Sequence, residues 1–233
     1  MWREIARDYR DGITGKDNFW IRRVTRPFSA VVVYFLKDTR ITPNQISFLS
    51  VACAVVGALV LIFRRSYPGL LTGVAVFQIA FILDCADGQL ARLRGADNDL
   101  GMYVDFLTDE LRAYIFFGSV ALRLFLQSDR IYFLVIGVTG MFLLAAGISL
   151  TTFIRRREYG GSGGREETAA KGIAAVAYGV GKFVIHYPSY VVYLAVINRI
   201  DIYFFFYTAA CAVHVCHTGL SVVLKVCRLR KKG

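Results

Sequence analysis

The chain has 233 residues, 56% of them hydrophobic, with a mean hydropathy of +0.49, more apolar than an ordinary water-soluble domain of that length. Charge is sparse at 19% but lopsided, with 28 Lys and Arg against 17 Asp and Glu. Nucleic acid is set aside as a partner because the basic residues lie between apolar runs and not along one soluble face. A disulfide framework is set aside too: Cys53, Cys85, Cys211, Cys216 and Cys227 form no C-x-x-C pair and lie mostly within apolar runs.

Residues 1–40 read as an interfacial segment. Trp2, Ile5, Ala6 and Tyr9 share one helix face, with Arg3, Arg7 and Arg10 on the other, an amphipathic pattern suited to a membrane surface. The first residues are charged and no long apolar run precedes residue 41, so no signal peptide is expected. Residues 28–36 are apolar but too short to span, which predicts a juxtamembrane helix. The six-helix membrane domain is expected over 41–227, and a basic tail over 228–233.

The first span is expected at 42–63. Thr42 and Gln45 form a capping-box pattern and Pro43 takes the first helical position. The second is expected at 69–93, where Gly69 and Gly73 make a G-x-x-x-G pair suited to close helix packing. Further spans follow at 101–126, 132–154, 173–197 and 203–226. Arg155, Arg156 and Arg157 follow the fourth, and Lys182 and His186 lie one turn apart inside the fifth. An intramembrane lysine either faces a cavity or snorkels. Cys211, His214, Cys216 and His217 invite a metal reading, but Cys216 leaves the face that the two histidines share, so a packed helix face is expected instead. Six spans put both termini on one side, together with Arg92, Arg94, the 155–157 cluster and the tail. The positive-inside rule makes that side cytoplasmic.

The chemistry concentrates between Asp84 and Asp109. Asp84, Asp87 and Ala91 fall on one helix face, and Gly101, Asp105 and Asp109 on one face of the next. Between them Gly95, Asp97, Asn98 and Asp99 have turn composition. The two faces can therefore meet with four acids pointing at one another. Carboxylates are costly inside a membrane and mark a function by default; four side by side require positive charge between them. The partner that fits is one or two hard divalent cations, Mg²⁺ or Mn²⁺, such as a two-metal phosphoryl-transfer centre uses. Arg92, Arg94 or Arg112 could neutralise some acids, but arginine pairing explains neither the spacing nor the glycines at 88 and 101. A divalent-cation transporter is the rival function; it would scatter acids along several spans, whereas here they cluster at one entrance.

The pattern Asp84-x-x-Asp87-Gly88-x-x-Ala91-Arg92, eight residues, Gly101-x-x-x-Asp105-x-x-x-Asp109 resembles the signature of the CDP-alcohol phosphatidyltransferase family at all eight fixed positions. The resemblance implies an all-α integral membrane protein with six transmembrane helices, preceded here by the juxtamembrane amphipathic segment, and a homodimer. It implies a metal-dependent transfer of the phosphoalcohol group of a CDP-alcohol such as CDP-diacylglycerol to an alcohol acceptor, with release of CMP. Carried over by position, Asp84, Asp87, Asp105 and Asp109 hold metal, Asp109 is also the general base, and Asp84, Gly88, Ala91, Arg92 and Gly101 line the CDP pocket. The acceptor is unassigned, with glycerol phosphate and inositol phosphate as candidates; Arg112, Arg155 and Lys182 are the residues placed to bind it. Inositol-phosphate members carry an arginine after the last acid, where this chain has Glu110, which argues against that acceptor.

Overall fold

The computed structural model describes residues 5, 9, 10, 20–96, 99–155 and 190–230, and among these all regular structure is helical. A single π-helical turn, Ile21–Thr25, runs into α1 (Arg26–Leu36). There follow α2 (Pro43–Phe63), α3 (Tyr67–Leu93), α4 (Asp99–Ser128), α5 (Tyr132–Arg155), α6 (Tyr190–Val196) and α7 (Ile200–Arg230). Helix α2 packs on α3 and α4, α5 on α4 and α7, α1 along α3, and α6 on α3 and α7.

Among the described residues four helices, α2, α3, α5 and α7, are long and apolar enough to cross a membrane; six are expected over the whole chain. Helix α4 has the length, 30 residues, but Asp105, Asp109, Glu110, Arg112 and Arg123 make it too polar to qualify by composition. Of the fifth expected span, 173–197, only residues 190–197 are described, and Tyr190–Val196 are helical. Of the expected amphipathic face, Trp2 and Ala6 lie outside the described residues. The helix expected at 28–36 is present as α1 and packs on α3: Arg26, Ser29, Ala30 and Val33 are buried, and Ser29 Oγ donates to Gln89 Oε1 of α3 at 2.8 Å.

Helix α2 starts as its sequence dictates. Thr42 Oγ1 accepts from Gln45 N–H, and Gln45 Oε1 accepts from Thr42 N–H, at 3.3 and 2.9 Å. Helix α3 begins two residues before expectation because Ser66 caps it, its hydroxyl accepting from Gly69 N–H. The two helices touch closely at Gly73, where a Cβ would lie 2.5 Å from Leu61 Cδ2; a side chain there would force them apart.

Two arginines bind the chain at opposite ends of α2. Arg94 donates to the carbonyls of Leu36, Lys37, Thr39 and Ile41 in the α1–α2 connection, at 2.5–3.2 Å. Arg123, 1% exposed, donates to those of Leu61, Arg64, Arg65 and Ser66 at 2.8–3.0 Å. Carbonyls at helix ends lack intrahelical donors, and a planar guanidinium with five N–H groups satisfies several at once. The core lies between these ends. Phe77 of α3 meets Phe116 of α4 with ring centroids 4.5 Å apart, and Phe117 stacks on Phe204 of α7 at 5.2 Å. Phe77 lies two turns before Asp84 and Phe116 one turn after Arg112, so this aromatic layer closes the acid cluster on its apolar side.

Candidate metal and nucleotide site

The connection that brings α3 back as α4 is built by Gly95. Its φ of +59° is the left-handed conformation that ends helices. Ala96 N–H bonds Ala91 O at 2.9 Å and Gly95 N–H bonds Arg92 O at 3.2 Å, the paired closing bonds of a Schellman motif. The motif residues Gly88, Ala91 and Arg92 thus occupy the last turns of α3, and Gly101 and Asp105 the first turns of α4.

As expected, the carboxylates converge. One oxygen from each of Asp84, Asp87 and Asp105 lies within 4.8 Å of the others. Asp87 is 3% exposed, Asp84 is half-buried and Asp105 exposed, so the cluster runs from the helix interface outward. Asp109, expected as a fourth ligand, is not in this group; its side chain is 58% exposed and ion-pairs with Arg112. Arg112 also stands 2.5 Å from Asp84 Oδ1 and donates to Ser50 Oγ at 2.9 Å, while being only 2% exposed. One guanidinium does not balance four carboxylates. Asp84 Oδ1 is buried, and the Arg112 guanidinium is its cationic partner. Three carboxylate oxygens converging from two helices suit a hard divalent cation.

Helix α2 contributes two residues that the sequence pattern did not single out. Ser47 donates to Asp87 Oδ2, and Ser50, three residues on, receives Arg112. The available signal was two serines on one face of an otherwise apolar span. In front of Gly88 there is open space: a Cβ there would meet nothing nearer than Arg92 Nη1, at 3.5 Å. A flat or charged ligand can approach that bare backbone.

The remaining expectations divide. Arg94, counted with Arg92 as a topology signal, is the clamp on the α1–α2 connection. Lys182, His186, Arg156, Arg157 and the side chain of Arg155 lie outside the described residues. His214 lies beside Thr151 Oγ1 at 3.1 Å and with Cys211 lines a cavity of about 210 Å³; Cys216 is exposed. Among the described residues the acidic cluster alone groups metal-type ligands.

The sequence model of the family described as CDP-alcohol phosphatidyltransferase matches residues 40–206. The chain is 30% identical over 108 residues to the bifunctional IPC transferase and DIPP synthase of Aquifex aeolicus, covering 46% of this chain and 24% of that protein. It is 34% identical over 109 residues to the protein of the same name from Rubrobacter xylanophilus, covering 47% and 24%. It is 41% identical over 101 residues to the ceramide phosphoethanolamine synthase of Drosophila melanogaster, covering 40% and 24%. The similarity thus spans about a quarter of each of these relatives.

Proposed function

The chain belongs to the CDP-alcohol phosphatidyltransferase family, and from that premise we propose that it is a membrane enzyme transferring the phosphoalcohol group of a CDP-alcohol to an alcohol acceptor. The acceptor hydroxyl attacks the phosphorus that carries the donor's alcohol, the bond to CMP breaks, and the hydroxyl proton passes to a carboxylate. The observation that carries the reading is the convergence of Asp84, Asp87 and Asp105 within 4.8 Å, on the helices that also bear the other fixed residues of the motif.

The environments of the four acids support a division of roles. Asp84, Asp87 and Asp105 would hold Mg²⁺ or Mn²⁺, two ions with Asp109 at their edge. Bound there, the ions would neutralise the pyrophosphate and the charge developing on the leaving oxygen. Asp109 lies outside the three-acid group, with its side chain 58% exposed and open to an incoming hydroxyl, as a general base must be. Gly88, Ala91, Arg92 and Gly101 border the space for the cytidine diphosphate. In this reading the protein is multi-pass and its acid site and both termini face the cytoplasm, where nucleotides are.

The relatives are named for different products, ceramide phosphoethanolamine in one case and IPC and DIPP in others, so the acceptor calls for a panel. Purified protein is assayed for CMP release from CDP-diacylglycerol and CDP-ethanolamine, with Mg²⁺ or Mn²⁺, against lipid alcohols, glycerol phosphate and inositol phosphate. One productive pair is expected, abolished by chelation and by Asp87→Asn in folded protein. Full activity in Asp87→Asn would sink the metal reading; no CMP from any pair would sink the transferase.

A further inference from the structure

Asp87 and Arg94 lie seven positions apart in α3 and its cap, about two turns, and so on one side of the helix. Helix α2 packs on α3 and meets this side at three levels. At the first, Ser47 donates to Asp87 Oδ2. At the second, Leu90 packs with Ile46 of α2 and Val33 of α1, all three at most 2% exposed. At the third, Arg94 Nη1 donates to Ile41 O at 2.5 Å, just ahead of the Thr42 cap that starts α2. Its Nη2 donates to Leu36 O, Lys37 O and Thr39 O at 2.6–3.2 Å.

The level at Asp87 needs a fixed height. A hydroxyl–oxygen bond holds over a range of about 0.5 Å in length, whereas packed helices can slide on one another by about 1–2 Å. The apolar level does not prevent a slide, because hydrophobic contact has no direction. The hydroxyl also has a rival acceptor, since Pro43 O of its own helix lies 3.2 Å from Ser47 Oγ. Ser47 has one hydrogen to give, so a slide of α2 hands it to Pro43 and leaves Asp87 without it. Arg94 opposes that slide. Its four acceptors belong to the connection that leads into α2, and its planar fork of donors fixes their direction as well as their distance.

We propose that Arg94 is a positioning residue for the metal site, holding α2 at the height where Ser47 reaches Asp87. This rests on the reading that Asp87 holds Mg²⁺ or Mn²⁺. The fixed arginine of the motif is Arg92; Arg94 acts on the site through α2 and Ser47.

The test is a double-mutant cycle on the full chain in detergent, without substrate. Its readout is Mn²⁺ binding, followed by the electron paramagnetic resonance signal of the free ion. The parent protein should bind Mn²⁺, and Asp87→Asn should bind it far more weakly. No binding by the parent, or equal binding by Asp87→Asn, would end the metal reading and this proposal with it. Ser47→Ala should weaken binding about tenfold, as the loss of a group that orients a ligand does. Arg94→Met should weaken it by up to the same factor, and no further when combined with Ser47→Ala, because the route from Arg94 to Asp87 is then already cut. Arg94→Gln carries the cycle where the methionine variant does not fold. Phe204→Leu, in the core between α4 and α7, should lower the melting temperature and leave Mn²⁺ affinity unchanged. Three results would overturn the proposal while leaving the metal reading intact: unchanged affinity in the folded Arg94 variant, losses that multiply in the double variant, or an equal loss in Phe204→Leu.

Discussion

Ser47 of α2 donates its hydroxyl to Asp87 of α3 across the interface of the two helices, and both side chains are buried, at 4% and 3% exposure. The carboxylate of the most buried acid in the cluster is therefore aimed from a third helix that the motif does not include. Groups that orient a metal ligand are worth roughly 10–100-fold in affinity or activity. Ser47→Ala should raise the Mn²⁺ concentration needed for half-maximal CMP release about tenfold with little change in melting temperature. An unchanged metal requirement would show that Asp87 holds its position without help.

Gly88 tests where the nucleotide goes. Its missing side chain faces open space, with only Arg92 Nη1 at 3.5 Å, so a larger residue disturbs no packing. Gly88→Leu should fold with a melting temperature close to that of the parent protein and lose the stabilisation given by a CDP-alcohol. Normal CDP-alcohol binding in that variant would move the pocket elsewhere.

Arg123 and Arg94 make a graded pair. Arg123 is 1% exposed and serves four carbonyls; Arg94 serves four from a half-buried position. Arg123→Met orphans the buried carbonyl of Leu61 and three partly buried ones and should cost about 2–3 kcal/mol, or roughly 4–12 °C in melting temperature for a chain of this size. Arg94→Met should cost less, because water can reach part of its shell. Equal losses would mean that burial does not set the difference.

Much of this was legible in the residues. Local chemistry was readable because its causes are local: the Thr42–Gln45 cap, the stop at Gly95, and the i, i+3 and i, i+4 spacing that gathers Asp84, Asp87 and Asp105. What could not be read depends on partners distant in sequence. Ser47 and Ser50 gain their roles only when α2 meets α3 and α4. Arg123 looked like one more charge within a span, and its four carbonyl partners lie some sixty residues earlier. Helix α4 escaped the hydropathy criterion for the reason it matters: the acids that make the site also make it polar. The packing of Ser29, Ala30 and Val33 against α3 was hidden because an eleven-residue apolar helix reads equally as surface or as core.

The role of Arg112 is the prediction with most at stake for the acceptor. Its position one turn past Asp109 admits two functions, holding an acceptor phosphate bidentately or fixing the carboxylates. Both terminal nitrogens are engaged, one with Asp84 and Asp109 and the other with Ser50, and the side chain is 2% exposed. That arrangement favours the positioning role. Removing the guanidinium outright would leave carboxylates without their partner, at about 3–5 kcal/mol for a buried pair. Arg112→Lys, which keeps the charge but loses the fork, is therefore measured beside Arg112→Gln, with thermal melts to confirm folding. If Arg112 positions Asp109, kcat should fall for every acceptor alike, by up to about 10²–10⁴-fold in Arg112→Gln, while the KM of acceptor and donor changes by less than about twofold; Arg112→Lys should recover part of the loss. If it binds an acceptor phosphate, KM should rise for phosphorylated acceptors alone with kcat preserved. That second pattern in folded Arg112→Lys would return Arg112 to the acceptor pocket and leave the orientation of Asp109 to other residues.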